Sequence, residues 1–250
     1  MIWTNKFNLP DSVAEAIKKN TYDVSRTDQN IISVTSLIGS PRIRQLTIRN
    51  WANITEDVSS GIWRLLGSAV HEVMGRISED NRLIEERLSE TIDDITVTGK
   101  ADIYDATVHA IQDYKITSVY KVKTDVKDWE NQLNCYAWLC RKAGFLVTKL
   151  FVNAILRDWS KGQSKRQKNY PPFAYKKIDI PLWTLKKQEK YIKERVKIHK
   201  EAMSKADNDL PLCTPEERWS NEKRKDIRCQ EYCNLKIHCD FWKAHYEKKM

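Results

Sequence analysis

The stretch that decides the fold reads Val97-Thr98-Gly99-Lys100-Ala101-Asp102-Ile103-Tyr104-Asp105, followed by Ile111-Gln112-Asp113-Tyr114-Lys115. Alternate residues of a strand share a face, so Asp113 and Lys115 are predicted to point the same way. A short connection from Asp105 to His109 is predicted to set the strand of Asp102 beside theirs. Two carboxylates that converge with a lysine suit a hard divalent cation and a phosphate. An ordinary hairpin with solvent-facing Asp and Lys is the alternative that this spacing leaves open.

The hydrophobic pattern around this stretch predicts an α/β order of helix, three strands, helix and strand. The first helix covers 60–78, and its apolar residues recur at helical spacing, which predicts a buried stripe. This stripe consists of Ile62, Leu65, Leu66, Ala69, Val70, Val73 and Ile77. The three strands are predicted over 83–88, 95–104 and 108–118, the second helix over 125–142 and the last strand over 145–156. Shorter helices are predicted over 11–20 and 42–51.

Composition excludes several classes of protein. The 250 residues include 43 Lys and Arg against 34 Asp and Glu, and the net charge of +9 suits a polyanionic partner. The seven glycines form neither a G-x-G-x-x-G nor a Walker A pattern, which excludes classical dinucleotide-binding enzymes and P-loop NTPases. No long apolar run and no signal-like N-terminal segment are present, so we expect no membrane span and a cytoplasmic location, the host cytoplasm if the protein is viral.

His71 lies opposite the apolar stripe of its helix, so it is not expected in the core. Gly67 and Gly75 stand four residues before and after it on the same face. Glycine inside a helix costs roughly 1 kcal/mol relative to alanine, so the pair predicts that something approaches His71 closely. A metal ion, a nucleic-acid backbone or another helix would explain this clearance, and a plain solvent-facing histidine is the alternative.

Gln132 and Tyr136 lie on the same stripe of the second helix as Trp129 and Leu139. They are therefore polar groups on the side predicted to be buried, where each needs a hydrogen-bond partner. A structural bond to a neighbouring strand and a contact with a phosphate or base at the rim of the carboxylate site are both open.

Four motifs in order resemble the PD-(D/E)XK nuclease superfamily, specifically its RecB-like exonuclease branch, which includes CRISPR-associated and phage nucleases. They are Gly67-x-x-x-His71, Gly99-Lys100-Ala101-Asp102, Asp113-Tyr114-Lys115 and Gln132-x-x-x-Tyr136. The resemblance implies a restriction-endonuclease-like core, in which a central mixed sheet is flanked by helices. Two positions of the PD-(D/E)XK pattern are notable. Ala101 stands where the pattern has proline, and the central acid is aspartate, Asp113, rather than glutamate, which the D/E choice allows.

The resemblance also implies a site and a reaction. The implied ligands of the catalytic metal, Mg²⁺ or Mn²⁺, are His71, Asp102, Asp113 and the main-chain carbonyl of Tyr114. By the same resemblance Lys115 positions the attacking water, and Gln132 and Tyr136 complete the site and contact DNA. The implied activity is exonucleolytic hydrolysis of DNA phosphodiesters, in a setting of repair or recombination. A structure-selective or restriction-type endonuclease and a non-catalytic nucleic-acid-binding module stay open, as do a homo-oligomer and a recombination or replication partner.

Basic segments follow the last predicted strand. A loop over 158–172 and a helix over 181–205 are rich in Lys and Arg, and they are predicted to bind the nucleic-acid backbone. The candidate DNA-binding side chains of the loop are Lys161, Lys165, Arg166 and Lys168. The predicted division of the chain is a polar N-terminal segment over 1–32, a nuclease core over 33–205 and a cysteine-rich tail over 206–250.

The tail holds four of the six cysteines, in the pattern C-x15-C-x3-C-x5-C. They are Cys213, Cys229, Cys233 and Cys239, and His238 is a candidate substitute ligand. Clustered cysteines in a reducing compartment predict a metal site, and thiolate ligands suit both zinc and an iron–sulfur cluster. RecB-like relatives often carry a [4Fe–4S] cluster with one ligand near the N-terminus, whereas no cysteine precedes Cys135 here, so zinc stays open. Cys135 and Cys140 are predicted to be small core residues.

Overall fold

The computed structural model describes residues 1–22, 28–76, 81–124 and 126–247, and the chain divides into two units. The first unit comprises Met1–Ile62, Ile92–Thr96 and Lys193–Met250, and the second comprises Trp63–Thr91 and Val97–Ile192. The predicted division at residues 32 and 205 stays a prediction. None of the helices in the described part of the chain is long and apolar enough to cross a membrane.

The N-terminal elements all belong to the first unit. They are β1 (Ile2–Thr4), α1 (Asp11–Lys19), β2 (Ile31–Ser33), α2 (Val34–Leu37), α3 (Pro41–Asn50) and β3 (Thr55–Asp57). β1 pairs with β3 in parallel. A small apolar core forms around α3, where Leu46 packs with Ile54, Ala202, Leu210 and Leu235.

The next elements along the chain include the five strands of the central sheet. They are α4 (Ile62–Met74), β4 (Arg82–Ile84), β5 (Arg87–Ile92), β6 (Ile95–Lys100), β7 (Ile103–Asp105), β8 (Ala110–Thr117), α5 (Lys127–Lys142), β9 (Lys149–Leu156), α6 (Lys161–Arg166) and β10 (Tyr175–Ile180). α7 (Leu185–Met203) and α8 (Asp240–Tyr246) complete the chain. Five strands form one sheet in the order β10-β9-β8-β7-β4, and β5 pairs with β6 in another.

The centre of the five-stranded sheet is a β8-α5-β9 crossover. β8 and β9 are parallel, from Ala110 opposite Lys149 to Thr117 opposite Leu156, and the other pairings in this sheet are antiparallel. Parallel neighbours need a crossover connection, and α5 supplies it with a broad buried face. The chain leaves α5 at Gly144, whose φ of +88° favours glycine. The fold is therefore mixed α/β, with a central mixed sheet flanked by helices, as the sequence predicted.

Several predicted strands are interrupted or shorter. The strand predicted over 83–88 is two strands, β4 and β5, and the one predicted over 95–104 is split into β6 and β7. The two breaks lie side by side, because the register of β4 and β7 continued by one residue places Glu85 opposite Asp102. The Glu85 amide donates to the Asp102 carbonyl over 3.0 Å, and a φ of +51° at Glu85 takes the backbone out of the extended conformation. The strand predicted over 145–156 begins at Lys149, and the loop predicted over 158–172 contains α6.

The apolar stripe predicted to be buried on α4 is not buried. The side chains of Leu66 and Val73 in this stripe are exposed to 41% and 56%, and no residue of α4 is fully buried. Helical periodicity identifies the helix correctly, but it does not specify what covers the apolar face. α4 also ends at Met74, so Gly75 lies just beyond the helix rather than inside it. Ile77, Ser78 and the predicted helix start at Asp125 lie outside the described residues.

Candidate active site

Asp113 and Lys115 lie on the same side of β8, at the centre of the sheet. The Lys115 Nζ atom is 3.0 Å from Asp113 Oδ1 and 2.8 Å from Asp113 Oδ2. Asp113 is only 1% exposed, and the Lys115 ammonium compensates its charge as a close ion pair with both carboxylate oxygens. A buried carboxylate is rare unless a cation lies beside it, so this position is one where positive charge is accommodated.

Asp102 faces this pair from the beginning of β7. The antiparallel register of β7 and β8 places Ile103 opposite Gln112, and continuing it by one residue places Asp102 opposite Asp113. The Tyr114 amide donates to Asp102 Oδ2 over 2.6 Å, and this bond fixes the carboxylate. His71, from α4, completes the group, with its Nδ1 atom 3.2 Å from Asp102 Oδ1. The structure thus brings together the four predicted positions His71, Asp102, Asp113 and Lys115.

Electrostatics in this group oppose a free carboxylate and favour a cation. Burial raises the pKa of Asp113 to about 6, although the Lys115 ammonium opposes the rise. A hydrogen bond to Asp102 raises the pKa of His71 above its usual range and outweighs the burial of the ring, which lowers it. In this arrangement a proton and an ammonium group supply the positive charge that the two carboxylates require.

Glu85 belongs to the same group and was missed in the sequence. Its Oε2 atom is 2.7 Å from Lys100 Nζ, and its Oε1 atom is 3.9 Å from His71 Nδ1. Lys100 was part of a motif, but Glu85 lies in no motif. The only signal was the Glu85-Glu86 pair inside a predicted strand, which breaks the apolar alternation there.

Gln132 and Tyr136 satisfy each other on α5. Gln132 Nε2 donates to the Tyr136 hydroxyl over 3.0 Å, and both side chains are buried. Burial raises the pKa of Tyr136 well above its usual range, and the charges of Asp113 and Asp102 raise it further. The hydroxyl is therefore protonated and close enough to sense both carboxylates, so it can donate a hydrogen bond towards the site.

Two motif glycines have different roles. A Cβ atom at Gly99 would lie 2.6 Å from Leu139 Cδ1 and 2.9 Å from Tyr136 Cδ1, so glycine is what allows α5 to approach β6. At Gly67, by contrast, a Cβ atom would meet nothing within 4 Å in the described structure, so the space beside His71 is open rather than filled by another helix.

The predicted basic loop leaves the sheet beside this site. β9 ends at Leu156, opposite Thr117 of β8, only two residues beyond Lys115. Tyr170 anchors the loop, because its hydroxyl accepts from the Ser160 amide over 3.0 Å. The four candidate DNA-binding side chains, all exposed, are Lys161, Lys165, Arg166 and Lys168. The positively charged loop therefore follows the end of β9 that lies beside the Lys115 end of β8.

The tail cysteines gather in the first unit and none forms a disulfide. Cys213, Cys229, Cys233 and Cys239 line one cavity of about 20 Å³. Burial raises the pKa of Cys213, Cys229 and Cys233, so without a metal these three groups are neutral thiols. The predicted substitute ligand His238 is not among the residues that line the cavity. Cys135 and Cys140 are buried on α5, as the sequence predicted.

Neither cluster is already arranged around an ion. Among residues 1–22, 28–76, 81–124 and 126–247, no group of three or more His, Cys, Asp or Glu side chains could hold a metal as it stands. At the first cluster, a hydrogen bond joins His71 to Asp102 and an ion pair joins Lys115 to Asp113. The chemistry of the donors nevertheless fits: carboxylates and an imidazole suit Mg²⁺ or Mn²⁺, and four cysteines in one cavity suit zinc or an iron–sulfur cluster.

Comparisons with known proteins support the fold. No protein-family model matches the chain, and no curated protein matches it. The solved structure of SSO0001 is similar, with a TM-score of 0.58 and 16% identity over 91% of this chain and 94% of that chain. A phage-related exonuclease from Haemophilus somnus 129PT has a TM-score of 0.33 and 14% identity over 78% of this chain and 82% of that chain. The chain therefore shares the architecture of SSO0001.

Proposed function

We propose that this protein is a metal-dependent DNA nuclease of the PD-(D/E)XK superfamily, with a restriction-endonuclease-like core and RecB-like exonuclease activity. The observation that carries the proposal is the buried Asp113 carboxylate, which is only 1% exposed at the centre of the sheet. Lys115 stands beside it and Asp102 faces it with His71. A purely structural hairpin has no need to bury a carboxylate in this way, because burying a charge costs free energy.

The proposed ligands of the active-site metal are His71, Asp102, Asp113 and the carbonyl of Tyr114. Bound there, Mg²⁺ or Mn²⁺ would supply a coordinated water of lowered pKa and positive charge at the scissile phosphate. Asp102 is held ready by the Tyr114 amide. Lys115 exchanges its bond with Asp113 for the attacking water and for negative charge that develops on the phosphate oxygens. The Tyr136 hydroxyl, oriented by Gln132, donates a hydrogen bond to the phosphate or to a base.

DNA binding is proposed to rely on the basic loop and on the net charge of +9. The loop's exposed cations are Lys161, Lys165, Arg166 and Lys168. They would contact phosphates next to the site without reading sequence, since backbone contacts carry no base information. An acidic metal pocket repels DNA by itself, so surrounding positive charge is needed to deliver the substrate.

The four tail cysteines are proposed to hold a structural metal, either a zinc ion or a [4Fe–4S] cluster. The support is that all four line one cavity, which also includes Leu46 and Leu235 of the apolar cluster around α3. A structural metal bound by thiolates contributes directly to folding stability. Protein purified without oxygen distinguishes the two: a cluster gives a brown colour with iron and sulfide, whereas zinc gives a colourless protein.

The experiment that tests the proposal incubates the purified chain with end-labelled linear DNA, single-stranded and double-stranded, in Mg²⁺, Mn²⁺ or a chelator. We expect release of labelled nucleotides with either metal and none with the chelator. Asp113→Ala should abolish the release, and Asp179→Ala should not, because Asp179 is exposed on β10. Release that persists in folded Asp113→Ala contradicts the proposed site.

Two further outcomes identify the alternatives. Cleavage of covalently closed circular DNA would indicate an endonuclease on the same core, because an exonuclease requires an end. Salt-sensitive DNA binding without cleavage in Mn²⁺ would indicate a nucleic-acid-binding module instead.

A further inference from the structure

Arg42, near the start of α3, is a buried cation without a carboxylate partner. Only 2% of its surface is exposed. Its Nη1 group donates to the Leu210 carbonyl over 2.8 Å, and its Nε group points at Cys239 Sγ over 3.5 Å. In the part of the chain that the structure describes, no acidic side chain forms an ion pair with it. A buried charge costs free energy unless an opposite charge compensates it, so the missing anion needs an explanation.

Ser40 shows a related feature at the N-terminus of the same helix. Serine at this position usually accepts a hydrogen bond from an amide of the first turn. Here the Ser40 side chain makes no such bond. Instead its Oγ atom lies 3.2 Å from Cys213 Sγ. Two side chains of the first turn of α3 thus point at sulfur atoms, and the positive end of the helix dipole lies behind them.

The sulfur atoms supply the missing anion only when they are thiolates. Cysteines that bind a metal are deprotonated, and four thiolates around a divalent ion carry a net charge of −2. Arg218, Arg228 and Glu217 line the same cavity, where Arg218 pairs with Asp226 at 2.7 Å and Glu217 lies 3.8 Å from Arg195. Arg228 is only partly buried, and its guanidinium lies over the Trp219 ring. Among the described arginines of this cavity, Arg42 is the buried one that directs an N–H group at a cysteine sulfur.

We infer that Arg42 balances the negative charge of a metal–thiolate centre. Arg42 and Ser40 stabilise this centre by donating hydrogen bonds to Cys239 and Cys213. The inference rests on the proposed tetracysteine centre. It adds a role for α3, which lies more than 150 residues before these ligands in the sequence. Groups that donate to metal ligands typically change metal affinity by about 10–100-fold when they are removed.

The test compares the full chain with Arg42→Met, Arg42→Lys, Ser40→Ala and the control Arg44→Met, all purified without oxygen. Arg44 is a matched control because it is also buried on α3 and donates to carbonyls, those of Gln29 and Ile31. The measurements are metal and sulfide content, and the rate at which a chelator removes the metal. We expect Arg42→Met to release metal at least 10-fold faster, Arg42→Lys and Ser40→Ala to be intermediate, and Arg44→Met to match the wild type.

Melting temperatures separate this role from ordinary packing. With metal bound, Arg42→Met should melt below the wild type. After the metal is stripped it should melt at or above the wild type, because the wild type then keeps an uncompensated buried cation. A lower melting temperature in both states, or release at the wild-type rate from Arg42→Met and Ser40→Ala, overturns the inference. A wild-type chain that holds no metal contradicts the tetracysteine centre itself.

Discussion

Replacing Asp113 with asparagine is expected to abolish DNA cleavage and, in the metal-free chain, to raise thermal stability. Burial raises the pKa of Asp113 to about 6 in the folded chain, whereas an unfolded aspartate titrates near ~3.9. A carboxyl group whose pKa is higher in the folded chain destabilises that chain when it is ionised. The metal-free protein should therefore lose stability as the pH rises from about 4 to about 6, and this loss should be absent in the variant.

The expected magnitude follows from the same pKa difference. One pKa unit corresponds to about 1.4 kcal/mol, so ionised Asp113 costs the folded chain on the order of 3 kcal/mol at pH 7.5. This cost already includes the opposing effect of the Lys115 ammonium. Asparagine removes the cost, but it leaves Lys115, whose side chain is 25% exposed, without its carboxylate partner. We expect a net gain of about 1–2 kcal/mol. That gain corresponds to a rise of about 2–8 °C in melting temperature for a chain of this size.

The assay is a pair of thermal melts at pH 7.5, with a chelator and with saturating Mn²⁺. Mn²⁺ should raise the melting temperature of the wild type and leave that of Asp113→Asn unchanged, because the variant loses a ligand. Asp179→Asn, on an exposed position of β10, should behave as the wild type does. The reasoning is refuted if metal-free Asp113→Asn melts below the wild type, since Asp113 would then serve only as a structural partner of Lys115.

Three further variants test the packing of α5, the metal site and the basic loop. Gly99→Ala should lower stability by about 1–3 kcal/mol and reduce cleavage, because the new methyl group displaces Tyr136; an unchanged melting temperature would contradict this. Glu85→Gln should raise the half-saturating Mg²⁺ concentration about 10-fold with little change in stability. The control Glu86→Gln should change neither the Mg²⁺ requirement nor the stability. If Glu85→Gln and the wild type required the same Mg²⁺ concentration, Glu85 would be excluded from the site. Changing all four loop cations to glutamine should reduce the slope of log affinity against log salt by about 3–4, and an unchanged slope would remove the loop from the DNA-binding surface. These cations are Lys161, Lys165, Arg166 and Lys168.

The crossover at the centre of the fold could be predicted because its pattern is local. β8 and α5 each lie within two residues of their predicted bounds, since apolar periodicity within a segment indicates its type and extent. The same locality explains why Asp113 and Lys115 could be assigned to one face. Two residues of one strand need no knowledge of the rest of the chain.

Features that depend on tertiary contacts could not be predicted. The strand breaks beside Glu85 and Asp102 lie opposite each other in the sheet, where Glu85 has a φ of +51° that its residue type does not predict. The exposed apolar face of α4 was unpredictable for a related reason, because periodicity does not say what packs on a helix. Arg42 looked like any basic residue of a surface helix, and only the fold shows that it is buried against the cysteines.

The proposed nuclease site is tested most directly by the rate at which Lys115→Ala releases nucleotides from linear DNA in Mg²⁺. The initial rate is measured against that of the wild type. Lys149→Ala is the matched control, because Lys149 is an exposed lysine at the start of β9. The account predicts a loss of about 10²–10³-fold for Lys115→Ala, the effect of removing one group that stabilises charge in the transition state. It predicts no loss for Lys149→Ala and no cleavage by any of the three proteins in a chelator. A folded Lys115→Ala that cleaves DNA at the wild-type rate would contradict the claim.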